Sequence, residues 1–135
     1  MILFNFASSS SVERIEDDRA MIRFVRVDTF HEIVLNIDVR LSDGYIHDLE
    51  AKFVRCPGAI CPKTVDTLPS MKGKTLGRGL RKALAEEVSS SDGCIHLGEM
   101  VMEAARSLVQ ARFTIRTLEL GDEHAMKKEL DETMK

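Results

Sequence analysis

One short segment of the sequence carries two side chains that can do chemistry together. In Gly93-Cys94-Ile95-His96-Leu97 a thiol and an imidazole stand two residues apart, directly before a long stretch of apolar residues at helical spacing. If that stretch is a helix, Cys94 lies in its first turn, where free backbone N–H groups and the helix dipole favour a thiolate. The pair therefore predicts either two metal ligands or a nucleophile with its base.

Further potential metal ligands precede this motif. Cys56 and Cys61 follow a predicted strand, and His47 and Asp48 lie within it. Alternation along the strand places His47 on the face that the helices should cover. Thiolates, imidazoles and a carboxylate supply enough ligands for a tetrahedral zinc site or an iron site. The predicted metal-site residues are Cys61, Cys94 and His96, completed by His47 or Asp48, with Cys56 as a further thiol.

Each of these residues also has a structural interpretation. Free cysteines commonly pack as small hydrophobic side chains, and no Cys-x-x-Cys or His-x-x-x-His spacing occurs in the chain. Gly73-Lys74-Thr75 is similar to the end of a phosphate-binding loop, but the glycine required five residues before Gly73 is Leu68. We therefore do not expect nucleotide binding.

The elements that must position the candidate residues begin with a sheet. Residues 31–41 and 45–55 alternate between apolar and polar side chains, and Asp43-Gly44 between them suits a hairpin turn. Residues 20–28 are rich in β-branched and aromatic side chains, which favours a neighbouring strand. The first half of the chain therefore predicts an antiparallel sheet of about three strands.

In the second half the apolar residues recur at helical spacing. The pattern predicts a short helical turn over 63–68, a helix over 75–88 capped by Thr75, and a long helix over 94–112. Strands followed by helices are typical of an α+β two-layer sandwich, in which helices cover one face of the sheet. We expect three parts along the chain: a flexible N-terminal segment over 1–18, a single α+β domain over 19–120 and a charged tail over 121–135.

Composition and charge limit the classes of partner. With 19 basic and 22 acidic side chains in 135 residues and a formal net charge of -3, the chain has no electrostatic reason to bind nucleic acid or anionic lipid. No apolar run is long enough for a membrane span. Three cysteines without a secretory start favour reduced thiols in the cytoplasm. Met100 and Met102 on the long helix permit a homodimer or another protein partner.

Four motifs occur in a fixed order along residues 45–112. They are Ile46-His47-Asp48, Cys61-Pro62, the segment from Gly73 to Gly79, and Gly93-Cys94-Ile95-His96-Leu97. Together they resemble a bacterial and archaeal family of unknown function marked by a Gly-Cys-Thr-His-Leu motif, with Ile95 here in place of Thr. The resemblance implies no activity, but it implies that His47, Asp48, Cys61, Cys94 and His96 occur together.

A more distant resemblance is to the iron–sulfur cluster assembly scaffold proteins. The matching segments are Lys52-Phe53, Cys56-Pro57-Gly58-Ala59, Gly73-Lys74-Thr75 and Cys94-Ile95-His96. Gly58 stands where the scaffolds have Asp, and their middle cysteine has no counterpart. This resemblance implies a similar α+β fold more than it implies cluster assembly.

We therefore expect a small cytoplasmic protein that binds zinc or iron through thiolate and imidazole ligands, as an accessory in iron–sulfur or sulfur handling. Two alternatives stay open at this point. One is an enzyme with Cys94 as nucleophile and His96 or His47 as base. The other is a protein-interaction module whose cysteines only pack. Metal content would separate these three functions.

Overall fold

A computed structural model describes residues 1–90, 93–121 and 123–133, and for residues 123–126 it describes the backbone alone. Four strands come first and helices follow. The strands are β1 (Phe6–Glu16), β2 (Arg19–Asp28), β3 (Glu32–Arg40) and β4 (Ile46–Arg55). The helical elements are a 3₁₀ helix (Cys61–Met71), α1 (Leu80–Glu87), α2 (Ile95–Leu120) and α3 (Glu123–Thr133). The predicted α+β class is confirmed.

The four strands form one antiparallel sheet in the order β1-β2-β3-β4. The predicted hairpin is β3 and β4, joined by a turn in which Gly44 has a φ of 76°. On β3 the side chains of Ile33, Leu35, Ile37 and Val39 are fully buried and the residues between them are half-buried. Successive side chains of a strand point to opposite faces, so the alternating apolar residues of β3 all lie on the face that forms the core.

The sheet has one strand more than the sequence predicts. The additional strand is β1, which runs through Ser8–Ser11 inside the segment predicted to be flexible, and pairs with β2 from Phe6 opposite Asp28 to Glu16 opposite Arg19. A serine run carries no apolar period, so its pattern is typical of a linker. Ladder hydrogen bonds, however, join backbone groups and do not require apolar side chains, which allows this strand to form with only Val12 half-buried.

The helices differ from their predicted bounds. α2 continues to Leu120, eight residues past the predicted end, and stops at Gly121, which has a φ of 81°. α1 begins after Gly79, whose φ is 82°, because Thr75 does not cap a helix but forms an isolated bridge with Tyr45. The 3₁₀ helix is longer than the predicted turn and contains Pro69.

The core lies between the sheet and the helices. α2 buries the stripe of Leu97, Val101, Ala104 and Leu108 and lies closest to β1 and β2, whereas the 3₁₀ helix lies against β4. The long helix therefore lies mainly over the first half of the sheet, and it contacts the predicted hairpin at its turn, where Arg112 Nε donates to the Leu41 carbonyl at 2.8 Å. Among the described helices, none is long and apolar enough to cross a membrane.

Candidate metal centre

The site is built around Asp28, the last residue of β2, whose exposed fraction is 4%. Its Oδ1 accepts hydrogen bonds from the backbone N–H groups of Phe30 and His31, both at 2.7 Å, and lies 3.0 Å from His31 Nδ1. Its Oδ2 accepts a hydrogen bond from Arg26 Nε at 2.9 Å. The carboxylate therefore closes the turn between β2 and β3 and fixes the His31 ring at the same time.

The protonation state of Asp28 follows from these contacts. Burial by itself would raise its pKa, but the hydrogen bonds from Phe30, His31 and Arg26 outweigh burial and hold the pKa well below the usual aspartate range. The Arg26 side chain is largely buried and also lies 3.7 Å from Glu99 Oε2 on α2. Asp28 is therefore a fixed negative charge inside the sheet-helix interface.

Two imidazoles meet beside this carboxylate. His31 is buried, His96 in the first turn of α2 is half-buried, and the centroids of their rings are 4.3 Å apart at an angle of 45°. Burial, followed by the proximity of His31 and Arg26, lowers the pKa of His96. His96 is therefore a neutral imidazole near pH 7, which is the form that donates a lone pair to a metal.

Cys94 lies beside His96 at the start of α2. Its Sγ lies 3.8 Å from His96 Nδ1, and its backbone N–H donates to the carbonyl of Val88 at 2.9 Å. A Cβ on Gly93 would lie 1.6 Å from the Val88 carbonyl oxygen, so only glycine allows this close approach of the two chains. A Cβ on Gly98 would lie 2.1 Å from Ser89 Oγ. The glycines around the motif therefore dock the start of α2 against the end of α1.

Within the described part of the chain, Asp28, His31 and His96 form a group whose potential ligand atoms all lie within 4.8 Å of one another. A carboxylate and two imidazoles are typical ligands of zinc and of iron. Of this group, only His96 is among the ligands predicted from the sequence. The available signal is Asp28-Thr29-Phe30-His31, in which an aspartate at a strand end precedes a histidine by three residues; the sequence pattern there predicts only a strand boundary.

The other predicted ligands occupy different places. Asp38 pairs with Asp48 but Val39 pairs with Ile46, so His47 is the extra residue of a bulge in β4. The bulge exposes His47, whose ring contacts Tyr45 at a centroid distance of 5.0 Å; its predicted orientation toward the helices is wrong. Asp48 is exposed and pairs with Lys72 Nζ at 3.0 Å, which lowers the pKa of Asp48.

Cys56, directly after β4, lies near Cys61, the first residue of the 3₁₀ helix. The Cys56 thiol donates to the Gly58 carbonyl at 3.4 Å, and burial, with a contribution from the neighbouring Cys61, raises the pKa of Cys56. All three cysteines of the chain are free and half-buried. The structure thus brings Cys94 and His96 together and places Cys56 beside Cys61. Participation of Cys61, His47 and Asp48 in one metal site stays a prediction.

Comparisons with known proteins complete the description. No curated protein and no solved structure matches this chain. A family model described as a protein of unknown function matches residues 11–110, which include Asp28, His31, Cys94 and His96. The resemblance to a family of unknown function is confirmed at this level, whereas the relation to the iron–sulfur scaffolds stays a prediction. Because the match covers most of the chain, the chain belongs to the DUF2889 family of proteins of unknown function.

Proposed function

We propose that this protein binds a divalent transition-metal ion, zinc or iron(II), between β2 and the start of α2. The observation that carries the proposal is the convergence of Asp28, His31 and His96, whose potential ligand atoms lie within 4.8 Å of one another. The three residues come from the β2–β3 turn and from α2, so their convergence depends on the tertiary fold and not on their spacing in the chain.

The hydrogen bonds at the cluster divide the roles of its residues. His31 directs Nδ1 at Asp28, at 3.0 Å, which leaves Nε2 as its metal-binding nitrogen. A metal-bound imidazole commonly donates its second N–H to a carboxylate, and that contact fixes the tautomer and the ring orientation. Because both oxygens of Asp28 already accept hydrogen bonds, its main role is to orient His31 and to balance the charge of the cation.

Cys94 adds a soft ligand next to His96. Its sulfur lies 3.8 Å from His96 Nδ1, and a bound metal would deprotonate the thiol. Cys94 is outside the group whose ligand atoms lie within 4.8 Å of one another, so its sulfur would have to move toward a metal held by His31 and His96. Two imidazoles and one thiolate would then supply three protein ligands, like the catalytic zinc sites that keep a fourth position for water or substrate. The proposal thus keeps Cys94 and His96 from the sequence analysis and places His31 and Asp28 beside them.

Metal content of the purified protein tests the proposal. We would express the chain with a tag that binds no metal, purify it without chelator, and measure zinc, iron and acid-labile sulfide. We expect about one zinc or iron per chain, whereas sulfide together with iron would favour the iron–sulfur role. His31→Ala and His96→Ala should each weaken zinc binding by about tenfold or more in a chelator competition.

His47→Ala is the matched control, because His47 is an exposed histidine that contacts Tyr45 and is absent from the group of converging ligands. It should leave zinc affinity unchanged. Weakened binding in His47→Ala with unchanged affinity in His31→Ala would refute the proposed ligand set in favour of the one expected from the sequence. Unchanged affinity in both His31→Ala and His96→Ala would refute the metal site itself.

The Cys94–His96 distance favours a second candidate, a cysteine nucleophile with a histidine base. In that function His96 would accept the thiol proton, and the negative charge of Asp28 would favour the resulting imidazolium. The alkylation rate of Cys94 by iodoacetamide in metal-free protein tests it. We expect faster alkylation at neutral pH than for a model thiol, and a slower rate in His96→Ala. A rate equal to that of the model thiol would exclude this function.

A further inference from the structure

Strand β1 presents small polar side chains where the other strands present apolar ones. Ser8 and Ser10 pair with Arg26 and Phe24 of β2, and therefore lie on the face that α2 covers. Hydroxymethyl groups at such positions are too small to fill the distance between a strand and a helix. The chain therefore leaves a gap between the edge strand and α2.

The Ser10 and Ser107 hydroxyls bridge this gap at 2.6 Å, and the space on one side of the bridge is a cavity of about 550 Å³. That volume lies within the range of small-molecule sites in proteins. The cavity walls are mostly apolar and come from β1, β2, the residue after β3 and the second half of α2: Val12, Ala20, Leu41, Ala111, Ile115 and Leu118. Gln110 adds a side-chain amide near the serine bridge.

Arg14 is the one charged residue among those that line the cavity. It pairs with buried Ala20 across the ladder, so it lies on the same helix-facing side as Ser10. Among the described residues Arg14 makes no ion pair. Asp17, Asp18 and Glu119 line an adjoining depression, together with Arg112 and Arg116, but not the cavity. A largely apolar cavity whose single charged lining group is a guanidinium favours a ligand with an apolar body and one anionic end.

We propose that this cavity binds an amphipathic small carboxylate, such as a medium-chain fatty acid, with the carboxylate at Arg14 and the hydrocarbon between β1 and α2. Arg14 also lines the adjoining depression, so the charged end of the ligand stays in contact with water while the chain displaces water from the apolar walls. The site shares no residue with the metal centre and does not depend on the proposed metal.

Dodecanoate binding to a tryptophan reporter tests this inference. The chain contains no tryptophan, and Leu118 lines the cavity with an exposed fraction of 76%, so Leu118→Trp introduces a single reporter at little cost in packing. Dodecanoate should shift the emission of this variant to shorter wavelength in a saturable manner. Arg14→Gln in the same background should weaken dodecanoate binding about fivefold, the upper range for an exposed charge pair.

Two controls separate recognition of the carboxylate from nonspecific hydrophobic binding. Arg23→Gln, an exposed arginine on the uncovered face of β2, should leave dodecanoate affinity unchanged. Dodecanol should bind more weakly than dodecanoate and should not respond to Arg14→Gln. Equal affinities for the alcohol and the acid would overturn the assigned headgroup. If dodecanoate produces no saturable shift, or if sedimentation shows a dimer that buries the reporter, the ligand site itself is refuted.

A filling substitution provides a further check. Ala111→Phe places a ring in the cavity from α2 and should abolish dodecanoate binding while the urea midpoint stays close to that of the reporter variant. If the protein with Ala111→Phe unfolds, Ala111→Leu gives the same test with a smaller side chain. Zinc binding should be unaffected in either variant, which keeps this outcome distinguishable from failure of the metal proposal. Undiminished dodecanoate binding in a folded, filled variant would contradict the assigned position.

Discussion

Replacing Asp28 by Asn tests the central claim that a buried carboxylate organises both the turn and the metal centre. The isosteric amide keeps an oxygen that can accept the backbone hydrogen bonds from Phe30 and His31. It removes the negative charge that faces Arg26 and His31, and turns an NH₂ group toward one of these donors. Among the residues that the structure describes, the largely buried Arg26 side chain then has only Glu99, 3.7 Å away, as a carboxylate partner.

The cost follows from the interactions that are lost. A hydrogen bond to a charged group contributes roughly 1.5–3 kcal/mol, and unpairing a buried charge costs somewhat more. Because the retained amide oxygen preserves the turn, we expect a loss of about 2–3 kcal/mol in the free energy of unfolding. With a urea m-value of about 2 kcal/mol/M, the unfolding midpoint should fall by about 1–1.5 M.

Asp43→Asn is the matched comparison. Asp43 also accepts hydrogen bonds from an arginine, Arg40, and from a backbone N–H, but its side chain is 51% exposed. Water can replace those partners, so the midpoint should fall by much less than in Asp28→Asn. In chelator competition, Asp28→Asn should also weaken zinc binding by about tenfold, because His31 loses its orienting carboxylate. Equal midpoint shifts for Asp28→Asn and Asp43→Asn would refute the assigned role of burial.

Three further measurements address the start of α2 and the acid range. Cys94→Ser should weaken zinc binding by about tenfold with little change in the urea midpoint; lost stability at unchanged affinity would instead indicate a packed structural cysteine. Gly93→Ala should destabilise the fold by about 1–3 kcal/mol in the same urea assay, because its Cβ would lie 1.6 Å from the Val88 carbonyl oxygen. Gly77→Ala is the control: the nearest atom to its Cβ would be 3.8 Å away, so its unfolding midpoint should stay close to that of the unmodified protein. The pKa of His96 is lower in the folded protein than in the unfolded chain, so the unfolded chain binds more protons as the pH falls. The free energy of unfolding should therefore decrease as the pH drops below about 6.5. A constant urea midpoint between about pH 7 and about pH 5 would contradict this.

Local sequence patterns predicted the central strands and the long helix, but not the edge strand β1 or the bulge in β4. Alternation over 31–41 and 45–55 predicted β3 and β4, and the apolar stripe predicted α2, because burial of one face imposes a period of two on strands and 3.6 on helices. β1 carries no such period: its serines pair through the backbone at the edge of the sheet, and Val12 alone is half-buried. The bulge at His47 escaped prediction for a related reason, since one extra residue reverses the face of a side chain without changing the local composition.

For the candidate site, the sequence by itself determined that a thiol and an imidazole stand together at the start of a long helix, since Cys94 and His96 are two residues apart. Only the tertiary structure decided which residues face them. His31 lies 65 positions earlier in the chain and reaches His96 because α2 crosses the sheet above the end of β2, while Asp28 closes the turn that holds the His31 ring. Such proximity arises from packing a helix on a sheet, and neither residue spacing nor side-chain chemistry encodes it locally.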